Sequence, residues 1–188
     1  FDEAGIPVPN MAEYLDLVAL GTVADLVPLD HNNRVLVHQG IARIRAGRCR
    51  PGIQALMDVA GRDRARLSTT DIGFILGPRI NAAGRLDDIG TGIRCLLTRD
   101  PQEARELAAE LDGLNRDRKA IEAGMQREAM AALEKLQLAE EGLPWSLCLY
   151  DSAWHQGVVG ILASRIKEKF HRPVIAFADG DNNLIKGS

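Results

Sequence analysis

Residues 101–137 form the longest periodic segment of the chain. From Pro101, apolar residues recur at Leu107, Leu111, Leu114, Ile121, Met125, Met130, Leu133 and Leu136, and polar residues fill the other faces. That recurrence is the pattern of an amphipathic helix. Unbroken, it would be roughly 55 Å long at ~1.5 Å per residue, which is long for a globular helix. Gly113 and Gly124 each weaken it by about 1 kcal/mol relative to alanine. The segment is thus either two helices or one helix spanning two domains, and Gly142 and Pro144 end it.

Ahead of this segment the pattern is helical throughout. Residues 1–9, punctuated by Gly and Pro, read as an incoming loop. Asn10 caps a helix from Met11 that stops before Pro28. Asn32 or Asn33 starts a second helix and Gly47 ends it. Pro51 opens a third, closed by Gly61. Ser68 or Thr69 caps a fourth that runs into Gly77-Pro78, and a short helix covers Ile93 to Leu97. Behind the segment the period changes. Trp145–Tyr150 and Pro173–Ala178 read as strands with an amphipathic helix, Val158–Phe170, between them. A turn at Asp179–Asn183 and a further strand from Leu184 follow. Strand, helix and strand of these lengths permit a parallel crossover. The fold class is therefore α/β: a helical part, a long connecting helix and the start of an α/β unit.

A core is possible, because 46% of the 188 residues are apolar; with aromatics at only 4%, it must be mainly aliphatic. The net charge of -3 provides no global basic field for a nucleic-acid partner. Locally, Arg43, Arg45, Arg48, Arg50, Arg62, Arg64 and Arg66 crowd one region, either as a backbone-binding flank or as a solvated face. Cys49, Cys95 and Cys148 lack CxxC spacing, which argues against a disulfide framework or zinc knuckle and fits a cytoplasmic setting. No apolar run approaches a membrane span, so no membrane partner is expected. Both ends read as cuts in a longer protein.

Four places carry possible chemistry. Gly77-Pro78-Arg79-Ile80-Asn81-Ala82-Ala83-Gly84-Arg85-Leu86-Asp87-Asp88 reads as a loop in which small residues leave room for an anion beside Arg79 and Arg85. The alternative is a structural loop whose arginines pair with Asp87 and Asp88. Asp25 sits among Val23, Ala24, Leu26 and Val27, where a carboxylate is costly unless bonded. It is either a buried cap or a metal ligand. Asp30-His31 is a weak metal candidate and reads as surface loop; His38 and His171 have no partner in sequence. Trp154-His155-Gln156-Gly157 opens a helix, so His155 and Gln156 either add donors to an anion at its N-terminus or are solvated. No nucleophile elbow, Walker loop or dinucleotide fingerprint occurs.

Several of these stretches resemble a known family. Leu17–Asp25 followed by Val27-Pro28-Leu29 resembles the fourth motif of the DHH phosphoesterase superfamily. Gly77–Leu86 resembles its RecJ branch in particular. Trp154–Ile161 with Ala163-Ser164-Arg165 resembles the start of the DHHA1 domain, and Lys186-Gly187-Ser188 the opening of a Gly-Ser-x-Arg-Ser segment. The resemblance runs from about Pro9 to Ser188. It implies residues 1–100 as the C-terminal part of a DHH domain, 101–143 as a connector and 144–188 as the N-terminal part of DHHA1. It implies a 5′-to-3′ single-stranded DNA exonuclease of recombination and repair, with Mn2+ or Mg2+ at paired sites. Asp25 matches a metal-binding, catalytic aspartate. Arg79, Asn81 and Arg85 match a DNA-lining segment, and His155, Gln156 and Ser188 fall in DHHA1 stretches that face DNA.

The Asp-His-His that names the superfamily is absent, and Asp30-His31-Asn32 does not replace it. A single candidate carboxylate is too few for two-metal chemistry, so this chain alone is expected to be inactive. Two other readings remain: a related oligoribonuclease or cyclic-dinucleotide phosphodiesterase, expected to carry Gly-Gly-His rather than Lys-Gly-Ser, and a non-catalytic DNA-binding module.

Overall fold

The computed structural model describes residues 10–135, 144–180 and 184–188. The described residues fall into two compact units, divided after Asn115.

The first unit is helical. A 3-10 turn, Met11–Tyr14, is capped by the Asn10 side chain, which accepts from the Ala12 amide, and leads into α1, Leu15–Ala24. Helix α2, His31–Arg45, begins two to three residues earlier than the asparagines suggested. Asp30 caps it instead, accepting from the Asn33 amide at 2.8 Å. A carboxylate is as good an N-cap as an amide and also favours the positive helix end. This accounts for Asp30-His31 without a metal. Helix α3, Pro51–Val59, has its proline in the first turn. Gly47 and Gly61, at φ +77 and +64, close α2 and α3 in the left-handed region.

The main correction to the sequence reading concerns residues 77–88. These do not begin a loop. A capping box between Ser68 and Asp71 starts the single turn α4, Thr69–Asp71. A π turn, Ile72–Leu76, continues it into α5, Gly77–Leu86. The Gly77 amide donates to the Ile72 carbonyl, five residues back. Pro78 stands in the first turn of α5, where its missing amide costs little because the π turn has already shifted the hydrogen-bond register. The small residues are also not a ligand vestibule. Ala82 and Ala83 are fully buried and face the core. Helix α6, Gly90–Leu97, starts a turn earlier than expected.

The long segment forms one helix, α7, Pro101–Lys135, continuous through Gly113 and Gly124. A Cβ at either glycine would meet nothing within 4 Å, so neither marks a close approach. Up to Leu111, α7 adds Ala104, Leu107, Ala108 and Leu111 to the core of the first unit, which is otherwise built from Ile44, Ile53, Leu56, Met57, Leu67, Ile72 and Leu76.

The second unit holds a three-stranded sheet in the order β1 (Leu147–Tyr150), β2 (Val174–Asp179), β3 (Ile185–Gly187). The first pair is parallel, with Leu147 opposite Val174, and the second antiparallel, with Ala178 opposite Lys186. Helix α8, Val159–Phe170, makes the parallel crossover and buries Val159, Leu162, Ala163 and Ile166. The expected turn at 179–183 lies partly outside the described residues, and the expected loop over 1–9 and the end of the long segment at 136–137 lie wholly outside them. No helix among the described residues is long and apolar enough to cross a membrane.

Candidate functional site

Asp25 ends α1 as its C-cap. Its amide donates to the Gly21 carbonyl at 3.0 Å, and the Leu26 amide to the Val23 carbonyl at 3.3 Å. Its side chain is exposed and makes no hydrogen bond or ion pair among the described residues. The buried capping aspartate of the sequence reading is therefore not what forms. The chain turns outward right after it, because Leu26 adopts φ +54, and Leu26 is left 87% exposed. A left-handed leucine costs about 1–2 kcal/mol. It turns the backbone sharply beside a carboxylate that stays open to solvent.

The start of α5 lies against the same end of α1. A Cβ on Gly77 would come within 3.1 Å of the Ala24 Cβ, so Gly77 is what allows α5 to sit this close. Gly73, in the π turn, also faces Val23, where a Cβ would make only ordinary contact at 3.7 Å. Three candidates project from α5. Arg79 is mostly buried. Its Nε and Nη2 donate to Asp112 Oδ1 at 3.0 and 2.9 Å, and its Nη1 donates to the Ile75 carbonyl at 2.8 Å. Its carboxylate partner is thus on α7, not Asp87 or Asp88. Asn81 and Arg85 are exposed. Four residues apart, they share one face of the helix.

In the second unit, His155, Gln156 and Ser188 come together where α8 begins. The His155 Nδ1 accepts from the Gly157 amide at 3.1 Å, which leaves Nε2 as the ring nitrogen for an outside partner. The Gln156 Oε1 is buried without a hydrogen bond. Ser188 continues β3 by exchanging both backbone hydrogen bonds with Ala176 at 3.0 Å. A Cβ on Gly160 would lie 2.9 Å from the Ser188 Oγ, so the hydroxyl sits directly over the first turn of α8. Val158, the N-cap, supplies no side-chain cap, so the first amides of α8 lack that partner.

Sequence reasoning missed the polar pairs that hold these elements. Asp16, 1% exposed inside an apolar run, accepts from the Leu17 and Arg50 amides at 2.8 Å and pairs with the Arg50 guanidinium at 3.5 Å. Glu122 on α7 bridges Arg118 and Arg165, and Trp154 Nε1 donates to Glu128. Arg118 and Glu122 stand four apart on one helix, a spacing readable in sequence, but Arg50, Arg165 and Trp154 are far from their partners in the chain and no local pattern signals them.

Mn2+ and Mg2+ prefer oxygen ligands, and the open Asp25 carboxylate suits them as one such ligand. Among the described residues, no group of three His, Cys, Asp or Glu side chains converges as a metal site. Asp25 therefore fits as a member of a metal site but does not constitute one.

No family model matches the chain. Against curated proteins it is 62% identical, over all 188 residues, to the single-stranded-DNA-specific exonuclease RecJ of Escherichia coli, covering 33% of that protein. It is 37% identical over 177 residues to RecJ of Bacillus subtilis, covering 94% of this chain and 22% of that one. Among solved structures, RecJ of Thermus thermophilus in complex with Mg2+ matches 95% of this chain and 27% of its own, at TM-score 0.78 and 38% identity. A crystal structure of RecJ bound to manganese matches 95% of this chain and 43% of its own, at TM-score 0.77 and 39% identity. The chain spans about a third of the length of the curated relatives it matches most fully. The resemblance to the RecJ family and the helical-plus-α/β fold it implied are borne out along the chain.

Proposed function

We propose that this chain is a segment of a RecJ-type exonuclease that removes nucleotides from single-stranded DNA in a 5′-to-3′ direction. In this reading, residues 1–100 belong to a DHH domain, 101–143 connect, and 144–188 begin DHHA1. The observation that carries it is the contact of Gly77 with Ala24. It holds the start of α5, the helix bearing Asn81 and Arg85, against the residue next to Asp25. A carboxylate open to a cation and donors suited to a phosphodiester thus belong to one rigid cluster of helices.

Asn81 and Arg85 contact backbone phosphate and fix the strand's position, which carries no sequence information. Arg79 already donates from all three guanidinium nitrogens to Asp112 and the Ile75 carbonyl, so its first task is to hold α5 against α7. Any phosphate contact uses the donors it has left. In the second unit, His155 Nε2, the Gln156 amide and the Ser188 hydroxyl present donors at the start of α8, where an anion is also favoured by the helix end. Mn2+ or Mg2+, held by Asp25 together with ligands from outside the described residues, would supply an activated water and offset the charge developing on the phosphate.

The test uses 5′-phosphorylated oligonucleotides and Mn2+. In a full-length enzyme carrying this segment, Asp25→Ala abolishes nucleotide release with an unchanged unfolding temperature. Asn81→Ala and Arg85→Ala weaken strand binding more than turnover at saturation. The 188-residue chain alone releases no nucleotide. Metal-dependent release by that chain, or full activity of the Asp25→Ala enzyme, would overturn the reading.

A further inference from the structure

A second cationic site lies at the other end of α1 from Asp25. Asp16 and Asp25 are separated by about nine residues, roughly 13 Å of helix at ~1.5 Å each. At the Asp16 end, a cleft of about 530 Å3 is lined by Tyr14, Arg43, Arg48, Cys49, Arg50 and Arg99, among others. These come from three separate places: the turn before α1, the end of α2 with the loop after it, and the link between α6 and α7.

The charges in this cleft do not cancel. Asp16 is consumed by Arg50 and by two backbone amides. Arg50 also lies over the Tyr14 ring at 5.1 Å. Arg43, Arg48 and Arg99 have no ion pair or side-chain hydrogen bond among the described residues. The Arg43 Nε is buried and has no acceptor among the described residues. A buried N–H of a cation left unmatched is costly, which singles it out from arginines that merely decorate a helix end. Glu13, on the exposed rim, is the only remaining carboxylate of the lining among the described residues. The Cys49 thiol adds no negative charge, because burial, foremost, and Asp16 push it up, against the pull of Arg64.

We propose that this cleft binds phosphate esters, as a site distinct from the Asp25–α5 cluster. Three guanidinium groups without carboxylates, one with a desolvated donor, match the several acceptor oxygens of a phosphate better than the single plane of one carboxylate. The Tyr14 edge suits a nucleotide's base. The phosphate comes from single-stranded DNA passing over this face or from a free mononucleotide, and the same chemistry serves both.

Arg48 and Arg99 are exposed, so Arg48→Ala/Arg99→Ala leaves the fold intact. Arg62→Ala/Arg66→Ala, which removes two positive charges outside the cleft, is the control. Binding is read by fluorescence anisotropy of labelled oligo(dT) and by calorimetry with pyrophosphate and dAMP, using the protein as a full-length enzyme. The cleft variant is expected to bind pyrophosphate at least tenfold more weakly than the control does. If the source is DNA, it also loses about 1.4 from the salt slope of oligo(dT) binding, at ~0.7 per contact. If the source is a free nucleotide, dAMP binding falls and oligo(dT) binding does not. Equal binding of all three probes by the cleft variant and the control overturns the proposal. In an Asn81→Ala/Arg85→Ala background the cleft variant should still bind pyrophosphate at least tenfold more weakly than the control, which separates this site from the one proposed above.

Discussion

Single residues set the limits of this structure where backbones meet. Gly52 is the tightest case. A Cβ there would lie 1.8 Å from the Cys95 carbonyl oxygen, and backbone cannot move aside as a flexible side chain can. Gly52→Ala should therefore cost several kcal/mol, well beyond the ~1–3 kcal/mol usual for overpacking, and thermal unfolding will show it. Arg79 is the polar counterpart. Asp112 is 8% exposed, so Arg79→Ala leaves its carboxylate buried without its guanidinium. The expected loss is about 3 kcal/mol in urea unfolding. Arg79→Lys recovers little of it, since an ammonium cannot donate to Asp112 and the Ile75 carbonyl with the same fork. Cys95 is buried and its thiol is pushed up to about 11 by desolvation. Native-state labelling at neutral pH should modify exposed Cys148 and spare Cys95 until the chain unfolds.

Among the elements, the helical run from Ser68 to Leu86 shows how capping and register decide a helix that propensity discourages. Its start depends on Asp71, whose pKa is lowered first by the Ser68 hydroxyl, against a burial penalty, with the Ser68 amide and Arg62 adding lesser pulls in the same direction as the hydroxyl. A lowered carboxylate stabilises the fold above the unfolded pKa, and that stabilisation disappears as pH falls through the folded pKa. Acid titration of stability should thus show a loss beginning near pH ~4, the ordinary aspartate range, that is smaller in Ser68→Ala. Helix α7 makes the opposite point. Gly113 and Gly124 each have open space around the missing Cβ. Gly113→Ala and Gly124→Ala should stabilise by about 0.5–1 kcal/mol each through helix propensity and a less flexible unfolded chain, measurable as a rise in urea midpoint.

On the scale of the molecule, two cores coexist. One is built from Ile44, Ile53, Leu56, Met57 and their neighbours. The other lies around Val158, Leu162, Ile166, Ala176 and Ala178, each at most 1% exposed. Leu162→Ala should cost about 2–5 kcal/mol. Hydrogen exchange should then show lost protection in β1, α8 and β2 while α2 and α3 keep theirs. Loss in all of them together would mean that the units fold as a single cooperative body.

The sequence by itself determined the helices of the first unit, the strand–helix–strand of the second and the family resemblance. Those features rest on local periodicity, on caps such as Asn10 and Ser68, and on ordered motifs. It misjudged residues 77–88 because glycine and proline report only their own preferences. A π turn that shifts the hydrogen bonds by one residue is visible only once Ile72 and Gly77 are placed. It likewise could not assign Arg79, because Asp112 is thirty-three residues away, and it put Asp25 among buried residues because its neighbours are apolar. Tertiary structure decided those points, since pairing and exposure depend on which elements meet. For the same reason Asp16, unremarkable in sequence, and Arg50, there one of a crowd of arginines, became one wall of an arginine-lined cleft.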